Sequence, residues 1–175
     1  MKKIIETERL ILRPFEDGDA PSILEFGGNP DVIRYTGDQL ITTIEEAQNL
    51  IDNVWKVDYA THGYGRFAVI YKPDNRLIGF SGLKYEHLLN GTDIGYRFLP
   101  QYWGMGIATE SCWPVLDFGF NDLQLQEVLG LAYPVNNKSC KVLEKIGMTH
   151  YKTEPFPGEH IDCNWYRLSK VDYGL

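Results

Sequence analysis

The chain has 175 residues, of which 43% are hydrophobic and 23% are charged, and its formal net charge is −7. This length suits one domain, residues 1–175, with a substantial core. Nucleic-acid binding needs a basic patch, and the absence of a Lys/Arg cluster argues against nucleic acid as the main partner. An acidic balance is compatible with a cationic partner such as an amine.

The sequence also limits the cellular compartments in which the protein is expected. No apolar run approaches the ~20 residues that a membrane span needs, and the charged N-terminus is not followed by the apolar region of a secretory signal. Cys112, Cys140 and Cys163 are scattered without a C-x-x-C motif, and the four histidines show no ligand spacing. We therefore expect a cytoplasmic protein in a reducing environment, with no membrane contact and no metal site.

The first forty residues predict a strand followed by short helices. Residues 6–14 form the predicted strand, with Leu10 and Leu12 on one face. The D-G-D segment at 17–19 supplies N-cap candidates for a short helix. The G-G-N-P segment at 27–30 ends that helix, and a helical turn and a loop are expected after it.

The next helix has a clear start signal. Thr43 and Glu46 fit a capping box, and apolar residues follow at helical spacing. This apolar side comprises Ala47, Leu50, Ile51, Val54, Trp55, Val57 and Tyr59. Trp55 is expected in the core, with a wall of a substrate site as the alternative. Strands at 67–71 and 77–83 flank K-P-D-N-R, which predicts a hairpin.

The C-terminal half alternates strands and helices. Pro114 costs about 3 kcal/mol inside a helix, but apolar residues continue beyond it, so we expect a kink and not an end. A strand at 126–133 precedes a helix that N-N-K-S at 136–139 caps and Gly147 ends. The remaining predicted strands are 148–152 and 161–170. This order predicts an α/β or α+β domain with a mixed sheet.

The most informative stretch is D-I-G-Y-R-F-L-P-Q-Y-W-G-M-G-I-A-T-E, residues 93–110. It opens as a strand, Pro100 ends the ladder because it has no N–H, and a helix begins at Ile107. The first N–H groups of a helix have no internal partner, and glycines let a bulky anion approach the backbone. The stretch therefore predicts a phosphate-binding loop, with an ordinary strand–helix turn as the alternative.

Four blocks resemble the GNAT N-acetyltransferase superfamily, in the family's order. T-E-R-L-I-L-R-P at 7–14 resembles the first strand, and I-G-Y-R-F at 94–98, followed by Q-Y-W-G-M-G-I-A-T-E, resembles the central strand and the CoA pyrophosphate loop. N-N-K-S-C-K-V-L-E-K-I-G-M at 136–148 is similar to the family's N-x-x-S-x-x-V-x-E-K-x-G-[FM] helix, and N-W-Y-R-L-S at 164–169 resembles the closing strand. The branch that the chain resembles contains the ribosomal-protein N-terminal (alanine/serine) acetyltransferases.

The resemblance implies a GNAT-like fold, a mixed and mostly antiparallel central sheet flanked by helices. Two central strands splay apart, and acetyl-CoA lies between them. Backbone groups near Phe98 and Leu99 would bind the pantetheine, and the loop N–H groups would hold the pyrophosphate. The implied acetyl-CoA site comprises Phe98, Leu99, Gln101, Gly104, Met105, Gly106, Ile107, Ala108, Asn136 and Ser139. For Asn136 and Ser139 the alternative is helix capping.

The implied reaction is attack of a neutral primary amine on the thioester. An α-amino group with a pKa of about 7.7–8 is roughly 10–17% neutral at pH 7, whereas a lysine is neutral for well under about 0.1%. A protein N-terminal α-amine would therefore need only a modest base. A small-molecule acceptor (a polyamine, an aminoglycoside or an amino acid) is the alternative.

Three residues are the main candidates for the chemistry, and two more are alternative bases. Asp93 stands where the family usually has Glu and is the candidate base, although an aspartate with a reference pKa of about 3.9 is a poor base unless burial raises the pKa. Glu154 and Glu159 are alternative bases. Ser139 or Tyr166 would supply a proton to the leaving thiolate, and Tyr166 has a core aromatic as its alternative reading.

The acceptor is expected between the early helices, about 24–60, and the 154–161 loop, with Tyr35, Trp55 and Tyr64 as walls. One rival hypothesis is an acyl-CoA-binding module without turnover, which Asp in place of Glu at position 93 favours. Another is a phosphate- or nucleotide-binding protein of unrelated fold. The oligomeric state is open, with a homodimer among the possibilities.

Overall fold

A computed structural model describes residues 3–174 as one eight-stranded sheet with helices packed on it. The strands are β1 (Ile5–Glu6), β2 (Leu10–Pro14), β3 (Arg66–Tyr71), β4 (Arg76–Glu86), β5 (Gly91–Phe98), β6 (Glu127–Ala132), β7 (Thr149–Pro155) and β8 (Asp162–Ser169). The helices are α1 (Ala20–Gly27), α2 (Pro30–Ile33), α3 (Ile44–Leu50), α4 (Lys56–His62), α5 (Ile107–Asp117), α6 (Asn137–Lys145) and α7 (Lys170–Tyr173). None of the helices described has the length and apolar character needed to cross a membrane.

The sheet has the order β1-β2-β3-β4-β5-β6-β8-β7. Every neighbouring pair is antiparallel except β5 and β6, which run parallel. This confirms the predicted mixed, mostly antiparallel sheet. In the parallel pair only one position is paired, where Asp93 of β5 lies opposite Leu129 of β6. The two strands are therefore paired at one end and are not paired beyond it.

Helices cover both faces of the sheet. Consecutive strand residues point to opposite faces, so neighbouring residues contact different helices. Phe80 of β4 contacts Phe26 of α1 and Trp55, at centroid distances of 6.0 and 6.2 Å. Its neighbour Ser81 faces the other way and lies 3.8 Å from the thiol of Cys112 in α5. The α1 face and the α5 face of β4 and β5 consequently present different side chains.

The predicted first strand is wrong in one respect, since it is two strands and not one. A turn separates β1 from β2, closed by a 3.0 Å hydrogen bond from Thr7 N to Leu10 O. Glu110 of α5 stabilises this turn by accepting hydrogen bonds from the Thr7 hydroxyl and the Arg9 guanidinium. Leu10 and Leu12 are buried, as their alternation indicated.

The predicted capping box at Thr43 and Glu46 is confirmed, with a 3.1 Å bond from Glu46 N to the Thr43 hydroxyl. The helix continues through a π turn, Ile51–Trp55, directly into α4. A π turn adds a residue and shifts the helical face. For this reason Val57, predicted on the apolar side, is 50% exposed, whereas Tyr59 is buried.

Pro114 lies inside α5 and does not end the helix, as predicted. The helix passes into a second π turn, Phe118–Asp122, whose Phe118 and Phe120 are buried. At the other predicted cap, Asn136 accepts a 3.2 Å hydrogen bond from Ser139 N, and Gly147 adopts a φ of +86° after α6. These local signals are confirmed because each depends on residues a few positions apart.

Candidate active site

A groove opens where β5 and β6 part. It has a volume of about 1070 Å³ and is lined by both strands, by the start of α5 and by one side of α6. The backbone of β5 offers unpaired groups to it. Leu99 N donates to Ile78 O at 2.9 Å, toward β4. Because hydrogen bonding alternates along an antiparallel strand, the backbone groups of Tyr96 and Phe98 point the other way, toward β6.

This alternation changes the expected role of Leu99. Its N–H is used within the sheet, so it is not open to a ligand in the groove. The carbonyl of Phe98 does face the groove side, and it already accepts a 2.6 Å hydrogen bond from the indole of Trp103. The free backbone groups of this strand are therefore those of Tyr96 and the N–H of Phe98.

The glycine loop leads into α5 without a side-chain cap. Gly104 and Gly106 have φ values of +75° and +78°, which favour glycine, and Gly106 is the N-cap residue. No side chain caps the first N–H groups of α5. In α6, by contrast, the Asn136 side chain accepts a hydrogen bond from Ser139 N. The free N–H groups and the helix dipole together make an anion site.

Glu110 is the one carboxylate in the first turn of α5, and its charge is balanced. Arg9 pairs with it at 2.6 Å, and Thr7 donates a 2.6 Å hydrogen bond. Burial by itself would raise the pKa of Glu110, but these hydrogen bonds outweigh burial and lower it. An anion at the loop therefore meets a neutral pair and not an isolated negative charge.

The opposite wall of the groove is α6, which carries positive charge. Lys138, Lys141 and Lys145 line the groove together with Asn136 and Ser139. The ammonium of Lys138 lies 5.5 Å from the ring centroid of Trp103, so α6 and the glycine loop are in contact across the groove. Three lysines and a bare helix N-terminus fit a polyanionic group such as a CoA diphosphate.

Tyr96 is a site residue that the sequence analysis missed. Its hydroxyl lies 2.9 Å from the Ser139 hydroxyl and 3.2 Å from the Ser139 carbonyl oxygen. Burial raises the pKa of the Tyr96 phenol well above its ordinary value. The phenol therefore stays protonated and remains a hydrogen-bond donor to Ser139. The I-G-Y motif contained the residue, but no local signal indicated its partner.

Arg66 is the second residue that was missed. Its Nη2 lies 2.9 and 3.1 Å from the two carboxylate oxygens of Asp93, and the side chains are only 12% and 19% exposed. The guanidinium lies over Gly95, where a Cβ would come within 2.6 Å of Nη2. The glycine of the I-G-Y motif thus makes room for Arg66. Asp93 lines the groove as one half of an ion pair.

A second cavity of about 650 Å³ adjoins the groove on the α1 face of the sheet. Trp55 lines it from the π turn, although its ring is largely buried and stacks on Phe15 at 3.8 Å. Tyr35 lines the groove itself. The residues that border both spaces are Asp38, Arg66, Phe80 and Arg97.

The structure does not bring every predicted residue to the groove. Tyr64 is buried and bonds Thr92 at 2.5 Å, away from either cavity. Tyr166 is buried against α6, and burial raises its pKa, which makes it a poor proton donor. The other predicted residues outside the groove lining are Leu99, Gln101, Met105 and Glu154. Of the alternative bases, Glu159 does line the groove.

Comparison with known proteins gives a consistent result. A family model described as "Acetyltransferase (GNAT) domain" matches residues 9–149. The uncharacterized N-acetyltransferase p20 of Bacillus licheniformis is 30% identical over 173 residues, covering 95% of this chain and 96% of that protein.

Two solved structures have the same architecture. A GNAT-family acetyltransferase from Bacillus anthracis superposes with a TM-score of 0.81 at 28% identity, covering 97% of this chain and 99% of its own. A spermidine N-acetyltransferase from Vibrio cholerae, in complex with CoA and spermine, has a TM-score of 0.80 at 21% identity. The match covers 97% of this chain and 100% of that chain. The family model, the Bacillus licheniformis relative and the Bacillus anthracis structure establish that the chain belongs to the GNAT family and is an acetyl-CoA-dependent N-acetyltransferase.

Proposed function

We propose that the protein acetylates a primary amine that enters from the α1 face and meets the thioester near Tyr96, Ser139 and Asp93. One observation carries this proposal. The groove runs without interruption from the uncapped start of α5 to these three side chains, and it borders a second cavity there. A site with an anion-binding end and a polar end suits a nucleotide-bearing thioester and a separate acceptor.

In this proposal the N–H groups at Gly106, Ile107 and Ala108 hold the pyrophosphate of acetyl-CoA, which supplies the activated acetyl group. Each dipole contact at a helix terminus contributes about 0.3–1 kcal/mol. Lys138 and the carboxamide of Asn136 face the same groove. Positioning of the two reactants supplies much of the rate, for which about 7–11 kcal/mol is available in favourable cases.

We propose that the Ser139 hydroxyl stabilises the departing thiolate by hydrogen bonding, while Tyr96 holds Ser139 in place. A thiol has an ordinary pKa of about 8.5 and tyrosine one of about 10. Because burial raises the pKa of Tyr96 further, full proton transfer from it to the thiolate is uphill. Tyr96 therefore serves as a positioning residue that holds the Ser139 hydroxyl toward the groove.

Tyr96→Phe is expected to lower kcat about tenfold and to leave the affinity for acetyl-CoA within about twofold, because one hydrogen bond to Ser139 is lost. Steady-state kinetics with isothermal calorimetry measures both. Tyr59→Phe is the matched control, since it also removes a buried hydroxyl, one that bonds Arg66 O outside the groove. Equal kcat in the Tyr96 variant and wild type would remove Tyr96 from the mechanism.

Asp93 is proposed to receive the amine by hydrogen bonding, directly or through an ordered water. Asp93→Asn is expected to lower turnover by about 10²-fold, the scale of general-base catalysis, with a much smaller effect on CoA binding. Asp122→Asn, in the exposed pair with Lys3, is the control. If the turnover of Asp93→Asn equalled that of the wild type at every pH from 6 to 9, Asp93 would be excluded as the base and Glu159 would be the remaining candidate.

The decisive experiment is a thiol-release screen with acetyl-CoA and α-amino peptides, amino acids, polyamines and aminoglycosides. Release with an amine supports the proposal. Binding of acetyl-CoA without release over the whole panel would favour a binding module, and displacement of CoA by ATP or NAD would favour another ligand class. A polyamine is the second candidate acceptor, because the Vibrio cholerae relative was crystallised with spermine.

We also propose a cytoplasmic location. Three free cysteines, Cys112, Cys140 and Cys163, are buried in the described part of the chain, which suits a reducing compartment. A homodimer remains a prediction, and sedimentation at several protein concentrations tests it.

A further inference from the structure

The second cavity has a mixed lining, in which apolar residues stand beside charged ones and the amides Gln39, Asn49 and Asn53. It lies between α1, the π turn at Ile51–Trp55 and the α1 face of β4 and β5. π turns inside helices are frequent at functional sites. The apolar residues that line the cavity are Phe26, Ile33, Ile41, Leu50, Val54, Trp55 and Phe80. The apolar part of this lining suits an uncharged hydrocarbon or aromatic group.

Three cationic residues line the cavity, and each is paired with a carboxylate: Arg66 with Asp93, Lys84 with Glu86 and Arg97 with Asp38. The two guanidiniums lie 5.8 and 5.4 Å from the ring centroid of Phe80. Asp38 and Glu46 are the carboxylates of the lining, and Glu46 already accepts the hydrogen bonds of the helix cap. Because these charges are paired, selection among amines falls to the apolar residues of the lining and to the Arg97–Asp38 pair.

The border between cavity and groove is an ion pair that can exchange partners. Arg97 of β5 pairs with Asp38, and their side chains are 26% and 53% exposed. A pair exposed to this degree contributes little to stability. Both residues border both spaces, so opening the pair offers one cation and one carboxylate where groove and cavity meet.

We propose that this cavity selects an acceptor with α-amino-acid chemistry, whose apolar side chain enters the cavity, whose carboxyl or carbonyl oxygen displaces Asp38 from Arg97 and whose α-nitrogen faces the groove on the side of Asp93. The inference rests on the proposed function and specifies its substrate class. A free amino acid and the N-terminal residue of a peptide share this chemistry. The α-ammonium first loses a proton to Asp93, directly or through an ordered water, and Asp93 passes it to solvent. Its nitrogen then bonds the acetyl carbon, the C–S bond breaks, and the thiolate takes a proton from that nitrogen.

The test compares amines that differ in one group. Calorimetry of the protein saturated with CoA measures the binding of L-phenylalanine, phenethylamine, the dipeptide Phe-Gly, glycine and spermidine, and thiol release measures their kcat/KM. We expect L-phenylalanine to bind about tenfold more tightly than phenethylamine, which lacks the carboxylate, and about tenfold more tightly than glycine, which lacks the side chain. Spermidine lacks both the carboxylate and the aromatic ring, so it should bind more weakly than L-phenylalanine.

Arg97→Gln should lower the affinity for L-phenylalanine about tenfold and that for phenethylamine by less than about twofold. Arg76→Gln is the matched control, because Arg76 also forms an exposed pair, with Glu25, away from both cavities. A merely structural Arg97 would lower the affinities of both amines together. Phe-Gly distinguishes the two sources, since tight binding of the dipeptide indicates a peptide N-terminus and its exclusion indicates a free amino acid.

The outcomes separate this inference from the proposed function. The inference would be overturned if phenethylamine or spermidine bound the wild type as tightly as L-phenylalanine does. It would also be overturned if Arg97→Gln lowered the affinities for L-phenylalanine and phenethylamine by the same factor. If thiol were released equally with amines that have a carboxyl group and amines that lack one, acetyl transfer would be supported and the proposed substrate class would be wrong. Selective binding of L-phenylalanine without any thiol release would sustain the cavity's selectivity and contradict the proposed function.

Discussion

Gly106→Asp is expected to lower the affinity of the protein for CoA by about 100-fold. Gly106 has a φ of +78° and precedes the free N–H groups of α5. A side chain there introduces strain of about 1–2 kcal/mol and places a carboxylate where the pyrophosphate is proposed to bind. Each 1.4 kcal/mol corresponds to about a tenfold change in affinity, and isothermal calorimetry with CoA measures the loss.

Two variants separate charge from strain in this experiment. Gly63→Asp has the same backbone requirement, with a φ of +76° and open space around it, but it lies at the end of α4. It should leave CoA binding within about twofold. Gly106→Ala keeps the strain without the charge, so its loss should be about tenfold. An affinity of Gly106→Asp within twofold of the wild type would show that the loop does not bind the pyrophosphate.

The second large effect is on folding. Gly79→Ala is expected to reduce the free energy of unfolding by about 3 kcal/mol, a typical cost of overpacking combined with backbone strain. Gly79 has a φ of +150°, and a Cβ built on it would lie 1.9 Å from the carbonyl oxygen of Arg97. The Cβ is fixed to the backbone of β4 and the carbonyl belongs to the backbone of β5, so the contact cannot be relieved without separating β4 from β5.

Urea unfolding monitored by circular dichroism measures this change. Gly18→Ala is the control, because its added Cβ meets nothing within 4 Å. We expect that control to shift the free energy of unfolding by less than about 0.5 kcal/mol. If Gly79→Ala were as stable as the wild type, the close contact of β4 with β5 beside Arg97 would be wrong, and the description of the adjoining groove with it.

The local features of this chain were readable from the sequence. The capping box at Thr43 and Glu46, the cap at Asn136 and the turn at Gly147 depend on residues at most four positions apart. The glycine loop at 104–106 was readable for the same reason, since positive φ and free N–H groups are properties of a short segment. The sheet type followed from the order of these elements.

The sequence did not indicate the two side-chain pairs that line the groove at the proposed reaction centre. Asp93 meets Arg66 across 27 residues, and Tyr96 meets Ser139 across 43 residues. Neither pair has a local pattern, because its geometry arises from strand register and from the packing of α6 on the sheet. The same holds for Tyr64 and Tyr166, whose residue type suited a site and whose positions proved to be in the core.

Local propensity thus specified the strands, the caps and the glycine loop of this protein, since each is a property of neighbouring residues. Sheet register specified which face each side chain reaches. A single paired position between β5 and β6 opens the groove, and Gly95 admits the Arg66 guanidinium beside Asp93. These contacts join residues far apart in the chain, and only folding brings such residues to within hydrogen-bond distance.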